Sequence, residues 1–79
     1  MIVLLREAGL KIVIYVDDHP PPHVHVIGDG EAKIRLVGTD GHPELMENSG
    51  MKQGDLRKAL AAIADAQAML LEEWSNIHG

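Results

Sequence analysis

Three histidines, His19, His23 and His25, fall within seven residues of this chain, and Asp17 and Asp18 immediately precede them. Imidazoles and carboxylates are the side chains of acid–base catalysis and of first-row metal binding, so this segment is where chemistry is to be sought. On a strand, side chains alternate, which puts His23 and His25 on one side and Val24 and Val26 on the other. Three uses compete. Two histidines at i and i+2, with a third His or a carboxylate, can hold zinc, manganese or iron with coordination positions left open. A neutral imidazole beside cations can serve as a base next to a bound phosphate, as a small ribonuclease would need. The histidines can also be ordinary strand residues, with the prolines as a stiff corner or a docking edge for another protein. From residue types alone the third use is favoured.

The elements around the segment decide what stands next to it. Pro20, Pro21 and Pro22 lack a backbone donor and fix φ, so the sequence predicts a stiff, extended connector from Asp17 to Pro22. Beyond it, 23–27 and 31–37 read as a hairpin around Gly28-Asp29-Gly30. A three-residue loop sets Val26 against Ala32, His25 against Lys33, Val24 against Ile34 and His23 against Arg35. Apolar then meets apolar on one face and polar meets polar on the other, whereas a slip of one residue mixes them. The candidate cluster is therefore His19, His23, His25, Asp18, Lys33 and Arg35, and its three histidines are expected as one exposed group. Lys33 and Arg35 oppose a dication at short range, and Asp17 and Asp18 sit across the proline corner, so their reach is in question. No tight metal binding and no cofactor are expected, and no catalytic residue is assigned.

The remaining sequence predicts the frame. Residues 2–6 and 11–16 are β-branched and apolar, with Glu7-Ala8-Gly9-Leu10 as their loop, and both faces of 11–16 suit a central strand. Residues 42–47 suggest a short edge strand, interrupted early by Pro43. From Gln53 onward Leu56, Leu60, Ile63, Gln67, Leu70, Trp74 and Ile77 step by four and three, the signature of one helix over about 53–78, with Gln67 as the only polar member. Lys52 offers that helix a poor N-cap. Leu60, Ile63 and Leu70 are expected against the sheet, and the overhang around Trp74 is a candidate contact surface. The fold expected for residues 1–79 is a single α+β domain: a small, mostly antiparallel sheet of about four strands with one long C-terminal helix packed across it.

Composition excludes several classes of function. The chain has 79 residues, no cysteine, and Tyr15 and Trp74 as its only Phe, Tyr or Trp. Disulfides and thiolate zinc sites are thus absent, and the lack of cysteine suits a cytoplasmic protein. With almost nothing for bases to stack on and a formal net charge of −5, direct nucleic-acid binding is not expected. The apolar start at 1–5 is too short for a membrane span or a signal-peptide core. A core this small invites help from a homo-oligomer or a partner chain.

The string Asp18-His19-Pro20-Pro21-Pro22-His23-Val24-His25-Val26 resembles the signature of the "domain of unknown function 4160" family of short prokaryotic proteins. The similarity continues through Gly28-Asp29-Gly30-Glu31-Ala32-Lys33 and Leu56-Arg57-Lys58 to near Trp74; Lys52-Gln53-Gly54 departs from the Ser-Pro helix start common there. The resemblance implies no established activity. It does imply a partner, a small protein encoded by the adjacent gene, in a toxin–antitoxin-like two-gene module. The function expected is that of the interaction component of such a module. A small hydrolase, metal-dependent or ribonuclease-like and using His23 and His25, is the alternative, with a purely structural dimerisation module as the third possibility. Whether the chain is an enzyme is left open by the residues.

Overall fold

A computed structural model describes residues 1–79. Five strands, β1 (Ile2–Glu7), β2 (Leu10–Ile14), β3 (His23–Ile27), β4 (Glu31–Arg35) and β5 (Glu44–Ser49), form one antiparallel sheet in the order β1-β2-β3-β4-β5. Two helices follow, α1 (Gln53–Asp65) and α2 (Gln67–His78). The α+β class and the antiparallel sheet match expectation; the count of four strands and a single helix does not.

Strand pairing follows from the hydrophobic pattern. The β3–β4 register is His23↔Arg35, Val24↔Ile34, His25↔Lys33, Val26↔Ala32 and Ile27↔Glu31, as apolar-with-apolar matching requires. Ile12, Val13 and Ile14 are all fully buried, which is what a central strand covered on both faces looks like. The fifth strand runs Glu44–Ser49 along the β4 edge, every residue exposed. Its start lies beyond Pro43, so the proline borders the strand instead of interrupting it. The β1–β2 loop is tighter than the sequence suggested: only Ala8 and Gly9 connect the strands, both at positive φ (51° and 78°). That is the backbone of a type I′ turn, whose twist suits a two-residue hairpin.

The helices cover one face. Leu56, Ala59, Ile63, Leu70 and Trp74 are buried with Leu10, Ile12, Ile14, Val24, Val26, Ala32, Ile34, Leu36 and Met51 in one core. Leu60, expected as a core position, is only half-buried and packs at the margin, while Ala59 takes the fully buried place. The single helix is interrupted at Ala66 (φ −103°, ψ 13°). No Pro or Gly marks the spot. The adjacent Gln67 donates both protons of its side-chain amide, to the carbonyls of Leu36 (2.7 Å) and Gly41 (2.9 Å), pinning the start of α2 to the loop after β4. Before α1, the Asn48 side chain bonds the Met51 N–H (2.9 Å) and carbonyl (3.1 Å). Lys52 makes no side-chain cap, as its residue type foretold. Gly30 must be glycine, because a Cβ there would lie 2.3 Å from the Gly50 carbonyl carbon.

Candidate functional site

The register places one row of side chains across the face of the sheet opposite the main core: Val3, Val13, His25, Lys33 and Glu47, one from each strand. His23 and Arg35 stand in the next row. Alternation along β3 puts both histidines on this face, and their rings meet edge to face at 5.2 Å between centroids.

The chain between β2 and β3 brings in a carboxylate. It is not extended throughout, as its prolines had suggested. It first turns back on itself: the Asp18 N–H donates to the Tyr15 carbonyl (3.1 Å) and the Tyr15 N–H donates to Asp18 Oδ2 (3.1 Å). This reciprocal pair aims the Asp18 carboxylate at β3. Asp18 Oδ2 lies 3.3 Å from His25 Nε2 and 3.5 Å from His23 Nε2, and Oδ1 lies 3.4 Å from His25 Nε2. The doubt about reach is thus resolved for Asp18. One ligand atom from each of the three residues can be chosen so that all lie within 4.8 Å of one another.

An oxygen stands behind each imidazole, hydrogen-bonded for His23 but not for His25. His23 Nδ1–H donates to the Pro21 carbonyl at 2.8 Å, which leaves the lone pair of the neutral ring on Nε2, facing Asp18. That Nε2 is buried and has no hydrogen-bond partner. His25 Nδ1 has the Glu31 carboxylate 3.5 Å away, again behind the nitrogen that faces Asp18. Ring neighbours complete the enclosure. Trp74 lies 5.2 Å from His23, Tyr15 lies 4.6 Å from His25, and His78 stacks on Trp74 at 3.8 Å.

The expected exposed cluster is therefore divided. His23 is only 3% exposed, because Trp74 covers it; the same contact buries Trp74 and removes it as an overhanging surface. His25 and Asp18 are half-buried, and His19 is exposed. His19 lines a cleft of about 400 Å³ together with Asp17, Asp18, Pro20, Pro21, His23, Lys33 and Met46. Lys33 also lines a smaller cleft, of about 160 Å³, that contains His25 and Glu31. Arg35 is exposed and borders neither cleft. His78 is half-buried against Trp74.

Electrostatics set the charge of the centre. Burial pushes the Asp18 carboxyl up, but the Tyr15 N–H, the positive charge that His23 and His25 carry when protonated, and the His25 hydrogen bond pull harder, and it ends below the ordinary carboxylate value. Burial, then the nearby Glu31 and Asp18 carboxylates, pushes the Tyr15 phenol above its usual range. The residues that sequence reasoning missed are Glu31, Tyr15, Trp74 and the Pro21 carbonyl. Glu31 was within reach of the hairpin register, since it lies diagonally across from His25 on the same face.

No helix is long and apolar enough to cross a membrane. Comparison with curated proteins and with solved structures gives no match to either. The family model described as "Domain of unknown function (DUF4160)" matches residues 9–75, which takes in the whole centre, and the chain belongs to that family.

Proposed function

We propose that this protein binds a divalent transition-metal ion through Asp18, His23 and His25, and that the bound ion gives it the chemistry of a small metal-dependent hydrolase. The observation that carries the reading is the convergence of two Nε2 atoms on one carboxylate, each with an oxygen placed behind its Nδ1. Ligating histidines characteristically give their other N–H to a carbonyl or carboxylate, which fixes tautomer and ring orientation. The O···N separations of 3.3 and 3.5 Å also suit the ion. Ligands about 2.0–2.1 Å from zinc lie about 3.4 Å apart along a tetrahedral edge. An N2O donor set admits zinc, iron(II) or manganese(II), and three protein ligands leave at least one position for water, which such an ion activates at neutral pH. Binding also supplies a partner for the buried, unpaired His23 Nε2, a group that otherwise carries a desolvation cost.

Calorimetric titration with zinc and with manganese at pH 7.5 tests the reading. Stoichiometric sub-micromolar binding is expected, lost in a His23→Ala, His25→Ala double variant and weakened in Asp18→Asn, with circular dichroism confirming that the variants fold. Absence of binding to the folded wild-type chain rejects it.

A second reading is the interaction component of a two-gene, toxin–antitoxin-like module. The wholly exposed edge strand β5, which carries Leu45 and Met46, supports it. Co-expression with the adjacent gene should then yield a heteromer that β5 substitutions dissociate; a chain that purifies alone would count against it.

A further inference from the structure

The cations that argued against a metal at this centre acquire a different meaning once Asp18 is in place. Lys33 stands directly opposite His25 in the register and is half-buried. Its cross-strand neighbour on β5 is Glu47, yet the carboxylate contacts within 4 Å of a basic side chain all belong to His23 and His25. Lys33 thus makes no salt bridge, and it is the one residue that lines both the cleft containing Asp18 and His23 and the cleft containing His25. A dication held by Asp18, His23 and His25 would share that cleft with it. Two positive groups facing one small cavity repel each other unless an anion lies between them.

We infer that the cleft of about 400 Å³ beside the centre takes a phosphate-type dianion, one oxygen on the metal's open position and another on the Lys33 ammonium. The inference rests on the metal reading above. Charge count selects the class. The ion contributes +2, Asp18 −1 and Lys33 +1, a sum of +2 that a phosphate monoester, with about −1.5 to −2 at neutral pH, nearly cancels. A carboxylate would cancel only half. Asp17, the remaining carboxylate of the cleft, and Glu31 and Glu47, which line the neighbouring cleft beside His25 and Lys33, are all exposed, where water and salt screen them. The exposed His19 ring at the cleft offers a further donor to an anion. Pro20 and Pro21, which form part of the wall, bring no N–H of their own, so the side chains must do the recognising.

The full chain loaded with cobalt(II) tests this, because cobalt's visible absorption reports both uptake of the ion and a change in its coordination. Inorganic phosphate is titrated into the cobalt-loaded wild type and the Lys33→Met variant, with acetate as the monoanion control. The expected result is a saturable spectral change with phosphate, weakened by about tenfold or more in Lys33→Met, as loss of a charge-assisted contact would give. Cobalt uptake should be retained or tightened in that variant, because a repelling charge is removed, and acetate should bind more weakly. If cobalt binds and phosphate leaves the spectrum unaltered, or Lys33→Met binds phosphate as tightly as wild type, the inference is overturned while the metal reading stands. Acetate binding as tightly as phosphate overturns the choice of a dianion. A folded wild-type chain that takes up no cobalt removes the metal reading and this inference with it.

Discussion

At Asp18 three opposing influences meet, and their balance has a measurable sign. The carboxyl is held below its ordinary value despite burial, because the Tyr15 N–H and the two histidines in their protonated form favour the charged carboxylate. A carboxylate with a depressed folded-state pKa contributes stability above the unfolded value of about 3.9, and that contribution is lost as pH falls through the lower folded value. Urea unfolding of wild type and Asp18→Asn between pH 6 and 2.5 should therefore show wild type losing stability more steeply below about pH 4; parallel curves would mean that the carboxylate is not selectively stabilised in the folded chain. Asn keeps an oxygen for the Tyr15 N–H, so the comparison isolates charge. At this scale the sequence was informative about which residues matter and poor about who touches whom. His23 and His25 followed from strand alternation. Asp18 reached them through a turn whose closing bonds involve Tyr15, and no local spacing signals that side-chain bond. Trp74 covers His23 across 51 positions of chain, a contact that only the docking of α2 creates.

Elements whose pattern repeats were the legible ones. The β3–β4 register could be argued because a one-residue slip would have exchanged every side chain between core and open face. The helical stripe was equally clear as a period, and its buried members Leu56, Ile63, Leu70 and Trp74 were among those marked. Its break at Ala66 was not, because Gln67 finds its acceptors at Leu36 and Gly41, far away in sequence. Ala59 takes the core place expected of Leu60 for a related reason: a one-position rotation of the stripe is invisible to periodicity when the flanking residue is alanine. The β1–β2 turn allows a test at this scale. Ala8 is a non-glycine residue at φ 51° on the exposed surface, a left-handed conformation that costs an ordinary L-residue roughly 1–2 kcal/mol. Asn tolerates that conformation, and Asn-Gly is the favoured type I′ pair. Ala8→Asn should raise the unfolding free energy by about 0.5–1 kcal/mol, read as a higher urea midpoint at unchanged m-value. A lower midpoint would show that the turn does not hold this backbone in solution.

For the whole molecule the question is how a sheet whose main core lies under the helices responds to an ion bound on its opposite face. The proposed ligands come from β3 and from the turn before it, while Trp74 of α2 rests on His23. The centre thus ties the connector, the sheet and the last helix together, and those attachments exist only in the folded chain. An ion that binds this arrangement and not the unfolded ensemble stabilises the fold by mass action, about 2.7 kcal/mol when its free concentration is a hundred times Kd. In a domain of this size each kcal/mol moves Tm by roughly 4–8 °C, so a rise of about 10–20 °C is expected at that saturation. Zinc or cobalt, titrated during thermal unfolding monitored by circular dichroism, should raise Tm with the logarithm of ion concentration above Kd. The His23→Ala, His25→Ala variant should show no such rise. Competing capture of the ion by the unfolded chain's histidines would reduce the slope but would do so in Asp18→Asn as well, so the difference between those two curves isolates the folded centre. Equal Tm with and without ion in the wild type would mean that the geometry around Asp18 serves packing alone, and that the functional face of this protein has to be sought along β5.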